Sequence, residues 1–258
     1  MNQNGVGFVG GGRIVRIFLE GWSRARRTPS SVFVSDCNPD ARAKLQARFP
    51  DVQIGTDLAA VAAQEVVFLA VHPPTMADAV ASLKGLLKPG VIVVSLAPKF
   101  TIAKLTEMLG SAVHIARVIP NAPSIVNSGF NPVCFGNAVT EEERGRVLAL
   151  LQPLGECPEA EETKLEAYAL LTGMGPTYVW FQLQVLREVV QGLGLSASDA
   201  AVALKAMLRG SACTLLESGL SPDEVMNLVP VKPLAEMEES VSELYRTRLP
   251  AVYQKIKP

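Results

Sequence analysis

The sequence predicts an α/β fold, with a doubly wound parallel sheet over residues 1–157 followed by an all-α half over residues 158–258. Three observations predict it. Short β-branched runs alternate with amphipathic helical stretches as far as about Pro153. A glycine-rich turn joins the first run to the first helical stretch, and the strand pattern stops after "LQPLGECPEAEE". Strands that are apolar almost throughout, rather than at every second residue, belong to a sheet covered on both faces, the usual state of a parallel sheet with helical crossovers.

The strand runs are "GVGFVG", "SVFVSD", "EVVFLAV", "GVIVVSL" and "AVHIARVI", and the helical stretches are Arg13 to Trp22, Pro39 to Arg48, Thr75 to Leu87 and Thr101 to Leu109. One more strand is expected in "PVCFGNAVTEEE", where Thr140 and Glu143 have the spacing of a reciprocal N-terminal cap and begin a helix. Farther on, Thr163 to Leu171, Pro176 to Leu193, Ser198 to Glu217 and Pro222 to Leu228 read as helices. Ser221, Pro222 and Glu224 provide a capping serine, a first-turn proline and a reciprocal glutamate. The segments "YVWFQLQVLREVVQGLGL" and "AAVALKAMLRGSACTLL" are too apolar to stand alone in water, so this half is expected to form a homodimer.

Composition narrows the function. The chain has 258 residues, 48% of them apolar, and a formal net charge of −1, so no basic field invites nucleic acid or an anionic membrane. "MNQNGVGFVG" has no basic leader region, and no apolar run approaches the roughly 18 residues that span a bilayer. Cys37, Cys134, Cys157 and Cys213 are scattered, without a CxxC pair or a neighbouring histidine. They read as reduced thiols of a cytoplasmic protein, with no metal site.

The glycine turn carries the first chemical signal. Gly7, Gly10, Gly11 and Gly12 lie between the first strand and the helix that Arg13 and Ile14 open, and the order follows G-x-G-x-x-G/A except at Val15. Glycines there let the backbone turn tightly and approach a pyrophosphate, which sits at the positive helix N-terminus of a Rossmann-type fold. The implied cofactor is NAD or NADP. Asp36, ending the second strand after Ser35, is placed to accept hydrogen bonds from the adenosine ribose and to repel a 2′-phosphate. Should Asp36 turn away, Ser35, Asn38 and Arg42 could accommodate that phosphate, so either dinucleotide stays open.

"GFVGGGRIV", "FLAVHPP", "RVIPNAPSIVNSG" and "LTGMGPTYV", in this order and spacing, resemble the pyrroline-5-carboxylate reductases over the chain from Gly5 to about Leu228. Members of that family typically read GFIGAGNMA, LAVKPQ, RVMPNTP and SGSGPAY at these places. The resemblance implies reduction of a cyclic imine to L-proline with NAD(P)H, proline biosynthesis, and dimerisation through the helical half. It adds Ala70, Val71 and His72 at a strand end, Ala97 on the neighbouring turn, and Asp57 to the cofactor site. His72 stands where the family has lysine, and either touches the cofactor or caps the turn before Pro73. Asn121 matches the family's asparagine, as a substrate contact or as a turn-stabilising amide.

Thr172, Gly173, Met174 and Gly175 are the remaining match, read as a break in the helix that either lets backbone approach the substrate or acts as a hinge. Hydroxyacid dehydrogenases of similar architecture carry a lysine at the place of Val179, and a carbonyl substrate needs such an acid. Val179 therefore points to an imine. The departure comes late: the family's TSPGGTT-like loop is replaced by "VPVKPLAE", residues 229–236, where Pro230 and Pro233 have no N–H and only Lys232 offers a carboxylate a positive charge. A different imine, or a catalytically silent nucleotide-binding dimer, is the alternative that this loop keeps open.

Overall fold

Every residue of β1 (Gly5–Val9) is buried, because the strand pairs with a parallel neighbour on each side. The computed structural model describes residues 5–258 and places this strand third in a seven-stranded sheet. Met1 to Asn4, part of the segment read for a leader, lie outside the described residues. From β1 the chain passes through α1 (Arg13–Ala25) to β2 (Ser31–Ser35), and through α2 (Pro39–Arg48) to the edge strand β3 (Gln53–Gly55). It then recrosses β1: α3 (Leu58–Ala62) leads to β4 (Val66–Leu69), α4 (Pro73–Lys84) to β5 (Ile92–Ser95), and α5 (Ile102–Leu109) to β6 (His114–Val118). After β7 (Gly129–Phe130), β8 (Val133–Phe135) adds antiparallel to β6, which gives the order β3-β2-β1-β4-β5-β6-β8.

Alternate side chains of these strands fill two cores, one on each face. Val6, Phe8, Phe68, Ile92 and Val94 meet Phe18, Leu19 and Trp22 of α1, together with Val147 and Leu151 of α6 (Glu141–Leu151). Val67, Leu69, Val93 and Ile115 meet Met76, Val80 and Leu83 of α4 and Leu105 of α5. Phe8 stacks on Phe68 at 5.0 Å between ring centroids, and the buried Trp22 indole donates to the Leu150 carbonyl at 2.7 Å. The expected α/β class and the parallel sheet with helices on both faces are therefore present.

Several elements differ from expectation. The sequence reading has no counterpart for β3, α3, or the ribbon of β7 with β9 (Gly155–Glu156). Each is five residues or fewer, too short to carry a period. α4 begins at Pro73 rather than Thr75, since prolines fit a first helical turn, where an N–H has no intrahelical partner. The segment read as a helix break is a π-turn. α7 (Leu165–Tyr168) runs into Ala169–Gly173, the Met174 amide reaches back to the Ala169 carbonyl at 2.9 Å, and α8 (Pro176–Gly192) follows. Gly175 keeps φ −48° and the Tyr178 amide donates to its carbonyl at 2.9 Å, so the backbone remains right-handed through the glycines.

The chain packs as two units, residues 1–174 with 252–258, and residues 175–251. Strands end at Glu156, close to the expected boundary at residue 157, but the next stretch up to Met174 packs with the sheet rather than with the later helices. Leu165 and Ala169 bury with Ile119, which draws that stretch into the first unit. The second unit holds α8, α9 (Ala197–Glu217), α10 (Pro222–Met226) and most of α11 (Ala235–Ile256). α11 has no counterpart among the expected helices, and its interior Pro250 is the kind of residue that argues against one. Ala200 is the single buried residue of these four helices, while Phe181 is 65% and Leu216 78% exposed. Among the described residues, no helix is long and apolar enough to cross a membrane.

Candidate active site

The strand order reverses between β1 and β4, and in open parallel sheets ligands bind beyond the carboxyl ends of the strands at such a point. A cavity of about 1060 Å³ opens there in the first unit. One end is walled by Gly10, Gly12, Arg13 and Ile14, with Ser35, Asp36 and Cys37 beside them. The middle is lined by Ala70, Val71 and His72, and the far end by Leu96, Ala97, Pro98, Ile119, Gly173 and Met174.

The glycines differ in what requires them. A Cβ on Gly7 would meet the Val61 carbonyl oxygen at 2.6 Å, and one on Gly10 would meet that of Ala70 at 2.8 Å with φ at +98°. Both glycines are demanded by the fold itself, and Gly7 does not line the cavity. Gly11 faces Leu45 and Asp36 and is likewise off the wall. At Gly12 an added Cβ meets nothing within 4 Å. Gly12 is also the N-cap of α1, without a side-chain cap and with no acidic residue in the first turn. Open space before uncapped helix amides is the environment a pyrophosphate takes, so these residues fit a dinucleotide.

Asp36 is held rather than mobile. Its Oδ2 accepts the Gly11 amide at 2.6 Å and its Oδ1 the Asn38 amide at 2.7 Å, while Arg42 donates to its carbonyl at 2.7 Å. Asp57 lies off the cavity wall, and its Oδ1 caps α3 by accepting from Ala59 and Ala60. His72 is the N-cap residue of α4 through its backbone only; its carbonyl accepts from Thr75, and its side chain makes no cap bond. The ring is exposed on the cavity wall.

Of the expected substrate residues, Gly173 and Met174 reach the wall. Asn121 does not. It is buried, its amide nitrogen donates to the Thr172 carbonyl at 3.2 Å, and its oxygen accepts from Phe130 at 3.1 Å. Its contacts attach the π-turn to the chain after β6. Thr172 is also off the wall, with its hydroxyl donating to Tyr168 at 2.9 Å. Gly175 and the exposed Lys232 belong to the second unit.

Sequence reading missed a buried ionic cluster behind the far end. Arg117 of β6 pairs with Glu162 at 2.9 Å and with Glu166 of α7 at 2.5 Å. An arginine inside the apolar run "AVHIARVI" was the available signal. Among the described residues there is no group of three or more metal-ligating side chains.

Comparison with known proteins agrees with this geometry. The model of the family described as NADP oxidoreductase, coenzyme F420-dependent, matches residues 5–99, the span of the glycine turn and of β4. The pyrroline-5-carboxylate reductase of Corynebacterium melassecola is 27% identical over 91% of this chain and 90% of its own length. That of Pisum sativum is 29% identical over 85% of this chain and 80% of its own. Among solved structures, the Plasmodium falciparum pyrroline carboxylate reductase with NADP bound has a TM-score of 0.74 at 19% identity, covering 99% of this chain and 95% of that one. The Coxiella burnetii pyrroline-5-carboxylate reductase has a TM-score of 0.69 at 24% identity, with the same coverage. Over most of its length in sequence, and over nearly all of it in fold, the chain is similar to pyrroline-5-carboxylate reductases.

Proposed function

We propose that the protein is an NAD(P)H-dependent oxidoreductase acting on C=N, which reduces a small cyclic imino acid and by default converts pyrroline-5-carboxylate to L-proline for proline biosynthesis. The observation that carries this reading is the cavity itself. One end is the glycine turn and α1 N-terminus that suit a pyrophosphate, and the other includes Gly173 and Met174, where the π-turn ends and the segment resembling the family's SGSGPAY motif begins. π-Turns inserted in helices frequently mark functional sites.

The reduced nicotinamide supplies the hydride. A protonated imine is already electrophilic, so the protein's part is to orient the ring and keep water out. Ala97, Pro98, Ile119 and Met174 provide an apolar wall for both tasks. Val179 at the place of the hydroxyacid dehydrogenases' lysine offers no proton, in keeping with an imine rather than a carbonyl.

A homodimer built on the second unit belongs to the same proposal. Its helices bury a single residue between them and expose Trp180, Phe181, Val185 and Val189 along one helix, a surface that a second copy would cover. The protein's four free cysteines suit a reducing compartment, and we assign the protein to the cytoplasm.

The test is oxidation of NADH and NADPH in the presence of pyrroline-5-carboxylate and, separately, of a six-membered cyclic imine. Turnover of the first supports the default. Turnover of the second alone supports a related imine, the reading favoured by Pro230 and Pro233 in the loop after α10. Dinucleotide binding with no turnover of either overturns the reductase and leaves a silent nucleotide-binding dimer.

A further inference from the structure

Arg117 is nearly fully buried on β6, between the apolar Ala116 and Val118. Its Nε has no hydrogen-bond partner among the described residues. Replacing a buried ion pair by apolar side chains of similar volume is often neutral or stabilising, so stability alone is a poor reason for this arrangement. The partners suggest a better one. Glu162 and Glu166 are four residues apart and meet the two terminal nitrogens of one guanidinium. Each carboxylate also takes a backbone amide from the stretch that runs from the loop after β5 into the first turn of α5. Glu162 Oε1 accepts from Ile102 at 2.7 Å, and Glu166 Oε1 from Lys99 at 3.4 Å, where the Lys99 backbone is held at φ +75°.

One planar group therefore joins three segments. The loop after β5 brings Ala97 and Pro98 to the cavity wall; α7 runs on into the π-turn with Gly173 and Met174; β6 itself continues into Ile119. These are the far wall of the cavity. The glycine turn and Asp36, at the opposite end, hang from β1 and β2, and among the described residues their hydrogen bonds do not reach the cluster.

We propose that Arg117 is a positioning residue for the reduction, setting the wall against which nicotinamide and imine are held by fixing the loop after β5 and the π-turn to β6 through Glu162 and Glu166. This rests on the assignment of the far end of the cavity to the nicotinamide and the imine. Lysine cannot replace the fork, because an ammonium is a point donor without the paired planar geometry.

The test uses Arg117→Lys and Arg117→Met, with Glu162→Gln as a milder variant at a partly exposed position. Three quantities are measured: NADH affinity by titration, the emission maximum of bound NADH, and kcat and KM for the imine. The expected result is an NADH affinity within about threefold of the parent. Bound-NADH emission should move toward that of free NADH, and kcat should fall on the order of a hundredfold, the loss expected of a misplacement near 1 Å. Glu162→Gln should move the same readouts less. Emission, kcat and KM unchanged in folded Arg117→Met would overturn the proposal. So would losses of affinity and activity that only track melting temperature across the three variants. If the parent protein turns over no imine, the reductase reading fails by itself, and the emission of bound NADH still decides the role of Arg117.

Discussion

Asp36 Oδ2 accepts the Gly11 amide at 2.6 Å, so the carboxylate that ends β2 is tied to the glycine turn of β1. With its other oxygen on the Asn38 amide, Asp36 cannot swing aside without breaking two charge-assisted bonds, each worth roughly 1.5–3 kcal/mol. The negative charge is therefore fixed on the wall where an adenosine ribose would lie, and a 2′-phosphate must meet it. NADH should bind more tightly than NADPH by on the order of tenfold, equivalent to about 1.4 kcal/mol. Asp36→Ala should weaken NADH and strengthen NADPH, because Arg13 and Arg42 remain nearby. Titration with both dinucleotides measures the ratio, and a ratio unchanged in the variant removes the ribose assignment.

The glycine turn allows fold and ligand to be separated. Ala at Gly10 must adopt φ near +98° and would bring its Cβ to 2.8 Å from the Ala70 carbonyl oxygen, so Gly10→Ala should destabilise the protein by more than 1 kcal/mol. Ala at Gly12 meets nothing within 4 Å and inherits an extended backbone at φ −76°, ψ −163°. Gly12→Ala should cost about 1 kcal/mol or less, the price of a poorer N-cap, yet weaken dinucleotide binding at least tenfold by filling the space before α1. Denaturant melts and NADH titration on both variants provide the check. Full NADH affinity in Gly12→Ala would show that the pyrophosphate does not lie there.

How far the sequence could be read follows from the range of each interaction. The turn at Gly10 to Gly12 and the strand end at Ala70 to His72 were legible because both are local, with strand, turn and helix adjacent in the chain. The π-turn at Ala169–Gly173 was not, since glycine and proline announce an interruption but not whether the helix resumes in the same hand. Asn121 was visible as an amide between prolines, but its choice of Thr172 as partner crosses 51 residues. The Arg117 pairs span 45 and 49 residues, and no periodicity in either segment encodes them. α11 has no counterpart in the sequence reading, although Ala235 to Leu249 run uninterrupted ahead of its interior Pro250.

The cysteines report on the cavity. Burial raises the Cys134 thiol above its ordinary value and pushes Cys157 up to about 11, so both are almost wholly protonated at pH 8. For a thiol near 11 the reactive thiolate is about a thousandth of the total at that pH. Cys37 is exposed and lines the cavity beside Asp36. A thiol reagent at pH 8 should modify Cys37 well before Cys134 or Cys157, and NADH should slow its modification severalfold. Peptide mapping over time follows each site, and equal labelling of Cys37 with and without saturating NADH would contradict the placement of the adenosine end.

The start of β6 carries a contact expected to weaken in acid. Thr140 and Glu143 form the reciprocal cap of α6, and both Glu143 oxygens lie against His114 Nδ1 of β6, at 2.7 and 2.8 Å. Burial raises the Glu143 pKa, but the Thr140 amide and hydroxyl and the His114 ring outweigh it, leaving the carboxyl below its ordinary value of 4.5. A carboxylate depressed in the folded state contributes stability that is present above 4.5 and is lost as pH falls through the folded value. Glu143→Gln should therefore destabilise at pH 7 and flatten the decline of stability below that point. Thr140→Ala should cost about 1 kcal/mol at neutral pH through the lost cap. Denaturant melts of parent and variants from pH 7 to pH 3 separate these effects. A Glu143→Gln variant that loses stability below pH 4.5 as steeply as the parent would remove Glu143 from the acid transition.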